Sequence, residues 1–287
     1  MRHAYAFIAY AVKDPALEVS PTSEGSRRTC GSRLHPPCRV ITLRGMLPIL
    51  VTLIFLHGGP GLPDYLADSF KGNFGKQTKE IFYTQKQDGV RGIDDLISEL
   101  DGHVSRGEGA IYLVGHSWGG MLAEEYALRF PKKIAGIILI SSAFAYKYRG
   151  KGKKMMKKIG LGAHPLDAYL TRGEQTNWAP YVQAILEKKN AALYDLLSKS
   201  YMQTFNNAER IRKASFPILN IYGDEDYCII ASHQRELGKL NGHIQNLEIK
   251  GSAHFPFLCP EHKAQVLSAM QQFIANSLGT GATSAMQ

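Results

Sequence analysis

The chain has 287 residues, with 34 Lys and Arg against 25 Asp and Glu, and so a formal net charge of +9. Its 44% hydrophobic and 21% charged residues exclude a disordered tail, because enough apolar surface is present to offset the entropy of ordering. The glycines show no period and no segment repeats at solenoid length, which excludes collagen-like and repeat chains.

In chain order, residues 4–12 are a short apolar run behind Arg2 and His3. No small-residue cleavage site follows, so the run does not read as a secretory leader. Residues 1–38, broken by Pro15, Pro21, Gly25, Gly31, Pro36 and Pro37, are expected to be an irregular N-terminal extension. A strand is expected at Arg39–Leu43. The apolar run Met46–Leu56 is too short to cross a bilayer and reads as a buried strand. His57-Gly58-Gly59-Pro60-Gly61 is a loop that neither helix nor strand could hold.

A helix-like stretch near Pro63–Phe70, a strand at Glu80–Thr84 and a helix at Ile93–Val104 follow. Ala110–Val114 is β-branched and aromatic and bounded by glycines, hence a strand. It runs into Gly115-His116-Ser117-Trp118-Gly119-Gly120 and a helix, Met121–Phe130, stopped by Pro131. Ile134–Ile140, Pro217–Tyr222 and Gln245–Ile249 read as strands, and Glu261–Ser277 as a closing amphipathic helix. Strands alternating with helices imply right-handed crossovers and an α/β fold with a mostly parallel sheet flanked by helices. Between Ala145 and Phe216, about seventy residues without a clear strand are too many for a plain loop. They read as an inserted helical cap. The expected division is therefore an extension at 1–38, a core at 39–145 and 215–279, a cap at 146–214 and a flexible tail at 280–287.

The sharpest chemical signal is Gly115-x-Ser117-x-Gly119 between a strand and a helix. A nucleophilic serine must stand on a tight turn whose neighbours carry no bulk, and it gains from the positive end of the following helix. Such a serine needs a base, and the base needs an orienting acid. Asp226 follows the strand Pro217–Tyr222, and His254 follows Gln245–Ile249; both are at carboxyl ends of strands, where sites of open α/β sheets form. Asp224 is the runner-up acid and Glu225 a third. Backbone N–H groups of Gly59 and Trp118 are the candidate oxyanion donors. His57, Gly58, Phe255 and Trp178 are candidate pocket residues, although a histidine in the position of His57 also serves to brace a loop. Among the aromatics Tyr169, Trp178, Tyr181, Tyr194, Tyr201 and Phe205, one or two are expected at the pocket wall and the rest in packing.

Together these residues resemble the α/β-hydrolase superfamily over roughly Arg39 to Ser277. His57-Gly58-Gly59-Pro60-Gly61 is similar to the loop of the proline iminopeptidase branch and related esterases. Gly115-His116-Ser117-Trp118-Gly119-Gly120 resembles their nucleophile elbow, and His254-Phe255-Pro256 their histidine loop. The resemblance implies the α/β-hydrolase fold, a cofactor-independent serine hydrolase with a helical cap, and a triad of Ser117, Asp226 and His254. Two departures turn the expectation from peptidase to esterase. Tyr83-Thr84-Gln85-Lys86-Gln87-Asp88-Gly89 stands where iminopeptidases carry Asp-Gln-Arg-Gly, and the cap offers few carboxylates, Asp167, Glu174, Glu187, Asp195 and Glu209, among many lysines. The expected activity is cleavage of small or medium carboxylic esters through an acyl-enzyme. A lactonase, an iminopeptidase-like aminopeptidase and a non-catalytic ligand receptor are the alternatives.

The positive charge concentrates in Lys147, Arg149, Lys151, Lys153, Lys154, Lys157 and Lys158. No nucleic-acid motif accompanies it, so the expected partner is a small ester; the run reads first as a solvated entry to the cap, with a weak contact to anionic surfaces through Lys147–Lys158 as the alternative. The four cysteines are too few for a disulfide scaffold, and without a C-x-x-C pair no structural zinc site is expected. Reduced thiols in a cytoplasmic protein are the expectation, and secretion the alternative.

Overall fold

The computed structural model describes residues 50–146 and 151–284. The expected extension at 1–38, the strand Arg39–Leu43, and Lys147 and Arg149 of the basic run lie outside the described residues.

Six strands form one sheet in the order β2-β1-β3-β4-β5-β6, every neighbouring pair parallel. They are β1 Val51–Leu56, β2 Thr78–Phe82, β3 Ala110–His116, β4 Gly136–Ile140, β5 Ile218–Gly223 and β6 Ile244–Ile249. The core helices are α1 Ala67–Phe70, α2 Ile93–Val104, α3 Trp118–Arg129, α8 Ala231–Leu237 and α9 Pro260–Ser284. Between β4 and β5 stand α4 Lys151–Lys158, α5 Arg172–Glu187, α6 Ala191–Leu197 and α7 Ala208–Arg212. A π-helical turn, Ser198–Met202, follows α6.

Side chains of a strand alternate between faces, and β1 shows how this builds two cores. Leu53 and Phe55 join Tyr112, Val114, Ile138 and Ile140 in one apolar cluster, closed by Val266, Met270 and Phe273 of α9. Ile54 and Leu56 join Leu113, Ile137 and Leu139 in the other, closed by α2 and α3 through Leu96, Leu100, Leu122 and Tyr126. Both faces are covered, which explains why the central strands read as unbroken apolar runs. Thr52, the polar exception in β1, is satisfied by donating to the Glu108 carbonyl and accepting from the Glu108 N–H, each at 2.8 Å.

Several elements differ from the sequence expectation: β2 lies two residues earlier than Glu80–Thr84, α1 is confined to Ala67–Phe70, and β4 starts at Gly136 and not Ile134. α3 begins three residues early, at Trp118, because the turn is confined to Ser117. α8 was not anticipated, its seven residues being too few to show a helical period. α9 continues to Ser284, past Ser277 and into the segment expected to be a flexible tail; no proline interrupts it, and Pro260 supports its first turn. No helix among the described residues is long and apolar enough to cross a membrane.

The inserted segment is tied to the core by backbone bonds. Asn207 N–H donates to the Phe144 carbonyl and Asn190 N–H to the Gly61 carbonyl, both at 2.8 Å, and Ala145 bridges Asn206. The buried Glu125 of α3 accepts from Arg210 at 2.7 Å and from the Tyr201 hydroxyl at 3.1 Å. On α4, Met156 is buried while Met155 and five lysines face outward.

Phe55 is fully buried and stacks on Phe82 at 4.3 Å and Phe70 at 5.4 Å between centroids. Phe55→Ala is expected to cost about 3–5 kcal/mol in urea unfolding, and a loss below about 1 kcal/mol would contradict this packing role.

Candidate active site

β3 delivers the chain to Ser117, which turns with φ of 52° before α3 starts. A non-glycine residue at positive φ is strained and persists only where the surroundings hold it. Here the Ser117 N–H donates to the Ile140 carbonyl at 2.9 Å, and the Ser117 carbonyl accepts from the Ser142 hydroxyl at 2.9 Å. The neighbours must be glycine because a Cβ on Gly119 would run into the Leu56 carbonyl, and one on Gly115 into the Gly119 carbonyl. The result is a partly exposed serine on a buried turn.

The loops after β5 and β6 bring Asp226 and His254 together, with Asp226 Oδ2 2.8 Å from His254 Nδ1. The other carboxylate oxygen, Oδ1, accepts the N–H groups of Cys228 and Ile229, each at 2.8 Å. The carboxylate is thereby locked from behind while it faces the imidazole. Asp224 instead accepts the Gly251 N–H at 2.8 Å and lies 3.5 Å from Lys250; Glu225 is exposed. Of the three acids considered, Asp226 is the one on the histidine. Burial pushes the His254 imidazole down, but the Asp226 carboxylate and the Cys228 sulfur beside it outweigh that and hold its pKa well above the usual value.

A chain of buried polar groups supports this loop. His116 Nε2 lies 2.8 Å from the His254 carbonyl, which can only accept, so Nε2 carries the proton. His116 Nδ1 must then accept from the Tyr65 hydroxyl at 2.5 Å, and the Tyr65 oxygen accepts the Gly58 N–H at 2.8 Å. Burial drives the His116 pKa well below the usual value, and the nearby His254 adds to it, so this ring is a neutral strut. The Gly58 N–H is spent in the strut, whereas among the described residues no protein acceptor is seen for the Gly59 N–H. The Trp118 N–H belongs to the unsatisfied first turn of α3.

A cavity of about 200 Å³ opens over Ser117 and His254. Gly58, Gly59, Trp118 and Phe255 line it from the core, and Tyr169, Tyr194 and Phe205 from the inserted segment. Three of the six aromatics considered there thus reach the wall, one more than expected. His57 and Trp178 do not line it, which corrects their assignment as pocket residues. His57 is fully buried, accepts the Gln85 N–H at Nε2 at 2.9 Å, and has its pKa pushed down to about 4 by burial, partly offset by its bond to the Gly58 carbonyl. Trp178 lies against Tyr181 and Cys259.

Sequence reasoning missed three residues: Tyr65 of the strut, Gln85 and Cys228. Gln85 is buried and binds the His57 carbonyl at 3.0 Å and the Trp118 indole N–H at 2.8 Å, fixing glycine loop and elbow together. Cys228 lines the cavity. A glutamine in a loop of polar residues carries no local mark of burial; only its place three residues past the end of β2 pointed there.

Residues 107–259, just over half the chain, match the family described as alpha/beta hydrolase fold. With this sheet, elbow and histidine loop, the protein belongs to the α/β-hydrolase family. Within it, the relatives are from the iminopeptidase branch. A proline iminopeptidase of Elizabethkingia meningoseptica is 30% identical over 125 residues, 37% of this chain and 42% of the relative. One from Saccharolobus solfataricus is 32% identical over 141 residues, 45% of this chain and 43% of the relative. The chain thus spans less than half the length of these curated relatives. Among solved structures, proline iminopeptidase from Mycobacterium smegmatis superposes with a TM-score of 0.63 at 17% identity, over 83% of this chain and 93% of that one. An N-acyl homoserine lactone degrading enzyme gives 0.64 at 16% identity, over 78% and 93%. At such identities the structural likeness concerns the fold alone.

Tyr65→Phe removes the middle of the strut and leaves the buried Gly58 N–H and His116 Nδ1 without partners. The expected cost is about 1–3 kcal/mol, read as a lowered Tm; an unchanged Tm would show that the strut carries no load.

Proposed function

We propose that this protein is a serine hydrolase that cleaves carboxylic esters of small or medium acyl groups. The observation that carries this reading is the cavity above Ser117 and His254, whose wall, among the described residues, contains no Asp or Glu. An aminopeptidase must hold a charged substrate amine, and burying an ammonium without a carboxylate is prohibitive. An uncharged acyl group suits the apolar wall, and about 200 Å³ is at the small end for ligand sites.

In this reading His254 Nε2 takes the Ser117 hydroxyl proton while Asp226 holds the Nδ1–H tautomer. Ser117 Oγ adds to the ester carbonyl, and the Gly59 and Trp118 N–H groups receive the developing oxyanion. The alcohol leaves with the proton from His254. Water, activated by the same imidazole, then releases the acid and restores Ser117. The iminopeptidase reading is supported by the sequence relatives, which are proline iminopeptidases, and is kept as the second one.

Three ligands separate the readings: p-nitrophenyl esters of rising chain length, an N-acyl homoserine lactone and proline β-naphthylamide. Turnover of short esters is expected, together with covalent labelling of Ser117 by a fluorophosphonate and loss of both in Ser117→Ala. Faster turnover of the proline amide would favour the aminopeptidase, and full activity in Ser117→Ala would remove the serine mechanism.

The raised pKa of His254 sets the sign of the pH response. Only the neutral imidazole can accept the serine proton, so kcat/KM for a neutral ester is expected to rise with pH through an inflection above 6.5, the ordinary histidine value. An inflection at or below that value would contradict the Asp226 pairing as the dominant influence.

A further inference from the structure

The chain at the start of α9 reads Cys259-Pro260-Glu261-His262, a Cys-x-x-His spacing. Cys259 stands immediately before the helix and His262 in its first turn. Glu174, from the first turn of α5 in the inserted segment, comes down beside them, with Oε1 3.7 Å from His262 Nδ1. One ligand atom from each of Glu174, Cys259 and His262 lies within 4.8 Å of the others. Glu174 is 4% exposed, and the His262 Nδ1 atom is buried with no hydrogen-bond partner. A buried imidazole nitrogen 3.7 Å from a buried carboxylate, with a thiol in the same cluster, has no role in the machinery above Ser117.

We propose that Glu174, Cys259 and His262 form a zinc site that fastens the inserted segment to the loop carrying His254. Thiolate, imidazole and carboxylate are the donor set of zinc, and the sulfur argues against magnesium or calcium, which take oxygen. Zinc bonds of about 2.0–2.3 Å require donor atoms roughly 3–4 Å apart, so the three side chains need only draw in slightly. The carboxylate is already oriented. Its Oε2 accepts the Thr171 N–H at 2.9 Å within a capping box, and its Oε1 accepts the Ser252 hydroxyl at 3.2 Å. Ser252 is two residues from His254, so the metal would join α5, α9 and the histidine loop at one point. Binding converts the Cys259 thiol to thiolate, its proton passing to solvent, and leaves the fourth coordination position to water. Because binding displaces the thiol proton, zinc uptake should strengthen as pH rises.

The test uses the full chain, stripped with chelator and titrated with zinc or cobalt(II). Wild type is expected to gain roughly 5–10 °C in Tm at a hundredfold excess over Kd, and cobalt to give a near-ultraviolet thiolate-to-metal band. Cys259→Ser and His262→Gln should each lose band and Tm shift while keeping the far-ultraviolet circular dichroism of wild type. A band that persists in both variants, or a wild type that binds neither metal, would overturn the site. Should a variant fail to fold, wild type alone decides by alkylation with iodoacetamide and peptide mapping. Zinc must shield Cys259, and equal labelling with and without zinc would overturn the proposal.

Discussion

The site depends on one close approach, the passage of the first turn of α3 beneath the carboxyl end of β1. Gly119 lies so near the Leu56 and His57 carbonyls that no side chain could be accommodated, and Gly120 is as close to Ser142. This crowding forces the reversal of direction into the single residue between β3 and α3, which is Ser117. The strain of its positive φ is held by two well-covered cores, because β1, β3 and β4 are rigid central strands with helices on both faces. A looser sheet would let the turn relax and the hydroxyl sink.

Around that turn the polar groups are arranged as struts. His57 and Gln85 join the glycine loop to the Trp118 indole, and Tyr65 and His116 join the same loop to the His254 carbonyl. Both supporting histidines are buried and held neutral, whereas His254, equally buried, is kept basic by the carboxylate against it. Three imidazoles within one small region therefore differ in charge for one reason. Only one of them has an acid as its partner.

Much of this could be read from residue order alone. The strands β1, β3, β4 and β5 announce themselves as continuous apolar runs, since a strand buried on both faces has no polar side to alternate with. Gly115-x-Ser117-x-Gly119 carries its own steric explanation, and the positions of Asp226 and His254 follow from strand ends. What could not be read was tertiary. Nothing local distinguishes Gln85, whose amide is useful only because the His57 carbonyl and the Trp118 indole pass it. His57 and Trp178 were placed at the pocket because of neighbours in sequence or composition, and the fold turns both elsewhere. The aromatics of the inserted segment had no assignable direction until α5 and α6 were set over the sheet.

One hydrogen bond has a wider meaning for access to the cavity. The His254 N–H donates to the Tyr169 carbonyl at 3.0 Å, so the histidine loop hangs from the inserted segment as well as from the core. A segment that swung away bodily to admit ligand would pull on the imidazole and release one of its two backbone anchors. The position of the imidazole is therefore tied to that of the cavity wall, since one residue, Tyr169, supplies both an anchor for the histidine and part of the lining.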